Sequence, residues 1–207
     1  MAGRTEARRA DLRRRLIAAA DERIAREGLA ALRARDLARD AGCSVGAIYT
    51  VFADLDDLVF AVNSGTLDRL DVSLGQASAA TSEPVRILIG LASAYLDFAV
   101  GHRRQWMALF EHHIPEGHDV PRWYTEQNAR LIEHAAGPLG RLFADQPEVD
   151  TQSLARALFS AVHGIVLLGL EERFVAVPPG AIMDQIEIVV RATLRGLGAQ
   201  PPGAASR

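Results

Sequence analysis

The sequence predicts an all-α protein in which a three-helix helix-turn-helix domain precedes a larger helical domain, with about nine helices in total. Apolar residues recur at helical spacing in one segment after another, and Gly, Ser and Pro separate these segments. Strand-type alternation is nearly absent. A chain of 207 residues with 49% apolar and 24% charged residues is also suited to forming compact, ordered domains.

A long first helix is predicted, and two short helices follow it closely. The first covers residues 11–27, where apolar side chains recur every four positions, and Gly28 provides its stop. The second covers residues 34–41 and ends at Gly42, because a positive φ costs glycine least. Ser44 then caps the third helix by accepting a backbone N–H from its first turn.

Longer helices follow, and Asp54 with Asp57 three residues later predicts the start of the fourth. We therefore divide the chain into a helix-turn-helix domain at 1–54, a helical domain at 55–198 and a disordered tail at 199–207. The predicted long helices cover residues 55–78, 83–101, 103–114, 121–144, 151–173 and 180–197.

The stretch AGCSVGAIYTVF, residues 41–52, is typical of a helix that enters the DNA major groove. Small side chains at the start of the third helix let its backbone approach base edges, and two hydroxyl groups follow. We expect DNA contacts from Ser44, Val45, Gly46, Ala47, Tyr49 and Thr50.

The charge distribution favours the same interpretation. Residues 1–50 contain eleven Arg and seven acidic residues, whereas the remaining chain contains twelve Arg and nineteen acidic residues. The N-terminal segment is therefore basic although the whole chain has a net charge of -3.

The segment RARDLARDAGCSVGAIYTVFADLDDL resembles the DNA-binding segment of the TetR family of transcriptional regulators, and the match covers roughly residues 10–62. This resemblance implies an all-helical, homodimeric repressor. Its N-terminal domain would bind a palindromic operator on double-stranded DNA, and its larger C-terminal domain would bind a small molecule and dimerise.

Two departures from the family pattern change the expected DNA contacts. Arg33 stands where relatives usually carry a hydroxyl residue at the start of the second helix, and we expect Arg33 and Arg35 to contact phosphates. Leu55 stands where relatives commonly carry Lys. The carboxylates of Asp54, Asp56 and Asp57 lie next to it in sequence and predict weaker operator binding. We expect an N-terminal arm to offset this loss of affinity through its arginines Arg4, Arg8 and Arg9.

The segments AYLDFAVGHRRQWMALFEHHI and AVHGIVLLGLEER are similar to the WHG-type C-terminal domain of the same family, although Val162 replaces the Trp of that name. Aromatic, Met and His residues concentrate here and predict a pocket for a small apolar or amphipathic effector. Ordinary core packing is the alternative for each member. The candidates are Tyr95, Phe98, Trp106, Met107, Phe110, His113, Trp123, Tyr124 and His163.

The last two predicted helices carry the clearest apolar stripes, which predict a four-helix interface with a second copy of the chain. The expected interface residues are Leu154, Leu158, Ala161, Ile165, Ile186, Val190 and Leu194.

Several other functions find no signal in the sequence. A single cysteine, Cys43, excludes an intramolecular disulfide, and we expect a cytoplasmic protein without a signal peptide or membrane span. Adjacent His112 and His113 point about 100° apart on a helix and do not favour a metal site. Enzyme motifs are absent and no cofactor is expected. A helical adaptor without DNA binding remains the alternative to a ligand-released repressor.

Overall fold

The computed structural model describes residues 2–114, 117, 119–171, 178 and 180–198. Within this part of the chain all regular structure is helical, which confirms the predicted fold class. The helices are α1 Ala2–Glu27, α2 Ala34–Asp40, α3 Val45–Ile48, α4 Leu55–Ala79, α5 Pro84–Gly101, α6 Arg103–Glu111, α7 Arg122–Leu142, α8 Thr151–Leu170 and α9 Ala181–Gly196. A short 3-10 turn at Leu29–Ala31 follows α1.

Two differences from the predicted bounds concern α1 and α8. Helix α1 begins at Ala2 rather than residue 11, so the arginines expected in an N-terminal arm lie on a helix. Helix α8 ends at Leu170, and residues 172–173 of its predicted range lie outside the described residues. The predicted tail at 199–207 also lies outside them.

The chain forms two compact units, which we call the first and second unit. The first comprises residues 1–69 and 101–125, and the second comprises residues 70–100 and 126–207. Helix α4 therefore contributes its N-terminal part to one unit and its C-terminal part to the other. The functional division at residue 54 stays a prediction.

The core of the first unit joins α1 to the helix-turn-helix segment. The apolar stripe of α1 is buried from Leu16 to Ile24, and Leu12 is half-buried; it packs with side chains of α2, α3, α4 and α6, as the four-residue spacing predicted. The buried members are Leu16, Ala20, Ile24, Leu37, Ala38, Ala41, Ile48, Phe52, Leu58, Ala61, Val62 and Ala108.

Polar contacts fix the turn between α2 and α3. Gly42 has φ of +62°, in the region that favours glycine. Arg15 Nη1 donates to the Ala41 carbonyl at 2.7 Å, which satisfies the end of α2. Arg23, which is almost completely buried, donates through Nε to Asp40 at 2.9 Å. Helix α1 therefore holds the end of α2 by both packing and hydrogen bonds.

In the second unit, α8 and α9 pack against each other at very close range. Gly169 of α8 is buried, and a Cβ atom at this position would lie 2.7 Å from Cδ1 and 2.8 Å from Cγ1 of Ile182. The absence of a side chain at position 169 permits this approach. Buried apolar residues from α4, α5 and α7 complete the core of this unit.

Candidate nucleic-acid interface

Helix α3 presents the surface that the sequence predicted for DNA. Ser44 accepts the backbone N–H of Ala47 at 3.3 Å, which confirms the predicted cap. Ser44, Val45, Gly46, Tyr49 and Thr50 are exposed, whereas Ala47 is half-buried; Tyr49 keeps 49% of its surface accessible. A Cβ atom at Gly46 would meet nothing within 4 Å. This face of α3 is therefore free to approach a duplex.

Thr50 is already engaged within the chain. Its hydroxyl donates to the Ala47 carbonyl at 2.7 Å, and it keeps its acceptor capacity toward an external donor. The expected role of Thr50 as a donor to phosphate would need this intrachain bond to break.

Arg33 and Arg35 flank the start of α2 and are both exposed. Arg33 is the N-cap residue of α2 and makes no side-chain cap. Neither guanidinium forms an ion pair within the part of the chain that the structure describes. Both are therefore available to neutralise phosphates, as the sequence predicted.

The arginines of α1 divide into structural and available groups. Arg15 and Arg23 hold the end of α2, and Arg13 stacks over the Phe52 ring at 5.2 Å from its centroid. Arg4 and Arg8 are exposed and have no ion-pair partner among the described residues. Some arginines of the N-terminal segment are thus engaged in contacts within the fold, and only the others are available to DNA.

The acidic start of α4 has internal partners, which the sequence did not reveal. Asp54 accepts the Asp57 backbone N–H at 2.8 Å, and Asp57 in turn accepts the Ala53 N–H at 3.1 Å. This reciprocal arrangement caps the helix. The third carboxylate, that of Asp56, lies 2.9 Å from His112 Nε2. All three carboxylates therefore have hydrogen-bonding partners within the chain, and the weaker operator binding that they predict stays a prediction.

Six of the predicted pocket residues belong to the first unit. Trp106 is fully buried as the largest such side chain, and its ring makes an edge contact with Phe110 at 5.5 Å. Tyr124 contacts Phe60 at 5.1 Å, and Trp123 is 46% exposed. Met107 is half-buried and His113 is exposed. The burial of Trp106 fits both core packing and a pocket role, and its assignment to a pocket stays a prediction.

The other three predicted pocket residues, Tyr95, Phe98 and His163, belong to the second unit. Two of them contact Phe159, which was not among the predicted residues. Tyr95 Oη and His163 Nδ1 lie 2.8 Å apart, and Phe159 stacks on the His163 ring at 5.8 Å. Phe98 is buried on α5, three residues after Tyr95. Burial lowers the pKa of the His163 imidazole below its ordinary value, so the ring is neutral at pH 7. Phe159 lies four residues before His163, on the same face of the helix, and this spacing was the sequence signal that could have predicted it.

The predicted dimer residues lie mainly inside the chain. Leu158, Ile186, Val190 and Leu194 are buried within one copy, so they offer almost no surface to a partner. Leu154, Ala161 and Ile165 are half-buried. The exposed apolar residues of α8 and α9 are instead Phe159, Leu168 and Ile188. The four buried residues therefore contribute to the core of the subunit, and the interface role of the three half-buried ones stays a prediction.

Helix α8 nevertheless keeps much apolar surface outside the core. An 18-residue window of Thr151–Leu170 has a mean hydropathy of 1.7, yet only 22% of that window is buried. This helix and Pro84–Gly101 are long and apolar enough to span a membrane by length and composition alone, a test that core helices of soluble proteins also pass. The expected absence of a membrane span stays a prediction.

The described residues contain no cluster of three or more His, Cys, Asp or Glu side chains that could hold a metal ion. His112 contacts Asp56 and is almost completely buried, whereas the neighbouring His113 is exposed. The two imidazoles therefore occupy different environments.

Comparison with known families identifies the class of protein. Residues 16–62 match the model described as bacterial regulatory proteins, tetR family, and residues 88–193 match the model described as tetracyclin repressor-like, C-terminal domain. A helix-turn-helix unit with an exposed recognition helix, followed by this domain, defines a DNA-binding transcriptional regulator. The chain belongs to the TetR family. Its members are regulatory and not enzymatic, and the WHG-type resemblance stays a prediction.

Solved structures with the same fold include both uncharacterised and regulatory proteins. A protein of unknown function from Rhodococcus sp. RHA1 is 27% identical, with a TM-score of 0.73 over 91% of this chain and 96% of that chain. RolR in complex with resorcinol is 19% identical, with a TM-score of 0.68 over 94% and 91%. PfmR from Thermus thermophilus is 19% identical, with a TM-score of 0.59 over 88% and 98%. No curated protein matches in sequence.

Proposed function

We propose that this protein is a ligand-responsive repressor that leaves a palindromic operator when a small effector binds. The observation that carries the proposal is the exposed face of α3, with Ser44 as its cap and open space at Gly46. Arg33 and Arg35, which are exposed at the start of the preceding helix α2, supply charge for the phosphate backbone.

A dimer would place two such faces in successive major grooves, about 34–36 Å apart. Leu168 of α8 and Ile188 of α9, which are 47% and 66% exposed, are the surface that we assign to this dimer. We assign the dimer to exposed residues and not to the buried stripe, because only apolar groups that are exposed in the single subunit leave water when a second copy covers them.

The effector would act by shifting a population of conformers. Helix α4 runs through both units, so a conformer with a different α4 position changes the separation of the two recognition helices. The effector acts only through its higher affinity for that conformer. An effector that binds both conformers equally would leave the operator complex intact.

A gel mobility-shift experiment tests DNA binding. The probe is a duplex covering the region upstream of the protein's own reading frame, titrated at several salt concentrations. We expect a complex whose affinity falls steeply with salt. In the Arg33→Gln/Arg35→Gln variant the slope of log K against log salt should decrease by about three and a half per dimer, since four phosphate contacts are lost.

The matched control is Arg86→Gln/Arg156→Gln, which removes the same charge from exposed positions of the second unit. Its slope should equal that of the wild type. A wild-type protein that forms no salt-sensitive complex would instead favour the helical adaptor.

We assign effector recognition to the group of Tyr95, Phe159 and His163 in the second unit. A neutral imidazole beside a phenol hydroxyl and an aromatic ring suits a small aromatic molecule with hydroxyl groups. RolR, which shares this fold, was solved with resorcinol.

Resorcinol and other small phenols are therefore the first probes. Binding should raise the melting temperature, by an amount equivalent to about 2.7 kcal/mol at a hundredfold excess over Kd, and should dissociate the operator complex. The Tyr95→Phe variant should keep DNA binding and lose the response. A panel of phenols that changes neither property would remove this assignment.

A further inference from the structure

We infer that Arg4 and Arg8 form a second phosphate-binding surface on α1, which contacts DNA outside the groove occupied by α3. This inference rests on the proposed DNA-binding function and extends it. It predicts a longer operator footprint than the recognition helix alone would give.

The orientation of α1 is fixed by Arg15. Its Nη1 atom donates to the Ala41 carbonyl at 2.7 Å and lies 3.8 Å from the Cβ position of Gly42. Ala41 and Gly42 form the turn that leads directly to the cap residue of α3, Ser44. The side of α1 that carries Arg15 therefore faces the turn beside the recognition helix.

Arg8 and Arg4 continue the same side of the helix. Residues seven and eleven positions apart differ by only about 20° around a helix axis. With a rise of about 1.5 Å per residue, Arg8 lies about 10 Å and Arg4 about 16 Å from Arg15 along the axis. Phosphates of one strand are about 3.4 Å apart along B-DNA, so this row is long enough to span about three to five of them.

The acidic residues of this segment do not cancel the row. Asp11 lies near it, but its carboxylate is already paired with Arg14 at 2.9 Å and Arg15 at 3.2 Å. Glu6 lies on the opposite side, about 180° from Arg15. The positive charge of Arg4 and Arg8 is therefore directed to the same side as the turn before α3.

The segment at positions 3–11 buries no described side chain in the core. Each described side chain at positions 3–11 is exposed, and the apolar core begins to contact α1 only at Leu12. Arg4 and Arg8 have no hydrogen-bond or ion-pair partner among the described residues. An exposed helical segment with two aligned, unpaired guanidinium groups is complementary to the phosphate backbone.

The test compares Arg4→Gln/Arg8→Gln with Arg26→Gln/Arg104→Gln. The control removes the same charge from the same unit, because Arg26 is exposed at the opposite end of α1, about 27 Å from Arg8 along the axis, and Arg104 is exposed on α6. Glutamine keeps helix propensity, and circular dichroism of each variant confirms that α1 is retained.

The probe is a duplex that the wild-type protein selects from a random-sequence library, extended by six base pairs of arbitrary sequence on each side. For Arg4→Gln/Arg8→Gln we expect the salt slope to decrease by about three and a half per dimer. Hydroxyl-radical protection of the flanking base pairs should also disappear, while the protected centre of the site remains.

Two outcomes overturn the inference and can be told apart. If the wild type selects no duplex with salt-dependent affinity, the proposed function fails and the inference fails with it. If the wild type binds and the slope and flanking protection of Arg4→Gln/Arg8→Gln equal those of the control, only the second phosphate surface is wrong.

Discussion

The partners of individual charged residues decide what the N-terminal unit can offer to DNA. Arg23 is almost completely buried and holds Asp40 at the end of α2, and Arg15 binds the Ala41 carbonyl. Asp56 pairs with His112 rather than facing solvent alone. A count of charges from the sequence treats Arg15 and Arg23 in the same way as Arg33. Only arginines that are exposed and have no partner in the chain are free to bind phosphate.

The Arg23–Asp40 pair should make folding stability depend on pH. The Arg23 guanidinium lowers the pKa of the Asp40 carboxyl below its ordinary value. The stabilisation is therefore fully present above the ordinary carboxyl pKa of about 3.9, and it is lost as the pH falls through the lower pKa of the folded state. Thermal melts of wild type and Asp40→Asn should differ by a constant amount at pH 5–8, and this difference should begin to shrink only below about pH 4.

The control for this measurement is Asp36→Asn, whose carboxylate pairs with Arg39 on the surface. This variant should melt close to the wild type over the whole pH range, because an exposed pair of this spacing contributes little. A gap between wild type and Asp40→Asn that persists unchanged to pH 3 would mean that the carboxylate charge does not matter.

Gly169 permits the close approach of α8 and α9, and any side chain there should destabilise the second unit. In Gly169→Ala the new Cβ atom would overlap Ile182, so we expect a loss of about 1–3 kcal/mol in the free energy of unfolding. Gly164→Ala on the same helix meets nothing within 4 Å and should stabilise by up to about 1 kcal/mol. Urea unfolding of both variants measures the difference, and equal stabilities would contradict it.

At the scale of elements, the sequence predicted the existence and order of the helices, and most ends to within a few residues. Caps and stops explain this accuracy, since Ser44, Gly42 and Asp54 act as their residue types predict. The start of α1 was missed because positions 3–11 bury nothing, and an apolar stripe reports only the buried part of a helix.

The role of each apolar stripe was harder to predict than its position. Leu158, Ile186 and Trp106 were expected at a dimer interface or an effector pocket, and the structure buries all three within the chain. Periodicity identifies the face of a helix that avoids water. It does not distinguish burial inside the subunit from burial against a partner or a ligand, because all three remove the same apolar area from solvent.

The recognition helix should tolerate bulk at Gly46 in the fold but not on DNA. Since the position is open, Gly46→Leu should melt at or slightly above the wild-type temperature. Its operator affinity should fall at least about tenfold, or about 1.4 kcal/mol, because the larger side chain keeps the helix from base edges. Fluorescence anisotropy with the selected duplex measures this loss.

Gly140→Leu provides the matched control. Gly140 is an exposed glycine of α7 whose Cβ position is also open, and it belongs to the second unit. The substitution should leave operator affinity unchanged. Equal affinity of the Gly46→Leu variant and the wild type would remove α3 from the DNA interface.

For the whole molecule, assembly is the property on which operator recognition depends. Ile188 of α9 is 66% exposed, beside charged neighbours that include the Glu187–Arg191 pair. We expect Ile188→Asp to convert the dimer into monomers, because a carboxylate in an apolar interface must be desolvated. Light scattering after size-exclusion chromatography measures the mass, and operator binding should weaken in parallel.

Val72→Asp is the control for assembly, since Val72 is 61% exposed on α4 and is not part of the surface that we assign to the dimer. Its mass should equal that of the wild type. A dimer that survives Ile188→Asp would place the interface elsewhere on the chain.

The contact between Gly169 and Ile182 also has a consequence for the evolution of the family. A relative that gains a side chain at the position of Gly169 must either shorten the residue facing it or move α9 away from α8. Substitutions at these two positions should therefore be correlated among homologues, so that a large residue at one position accompanies a small residue at the other. Sequence pairs that carry a large residue at both positions should differ from this protein in the spacing of their last two helices.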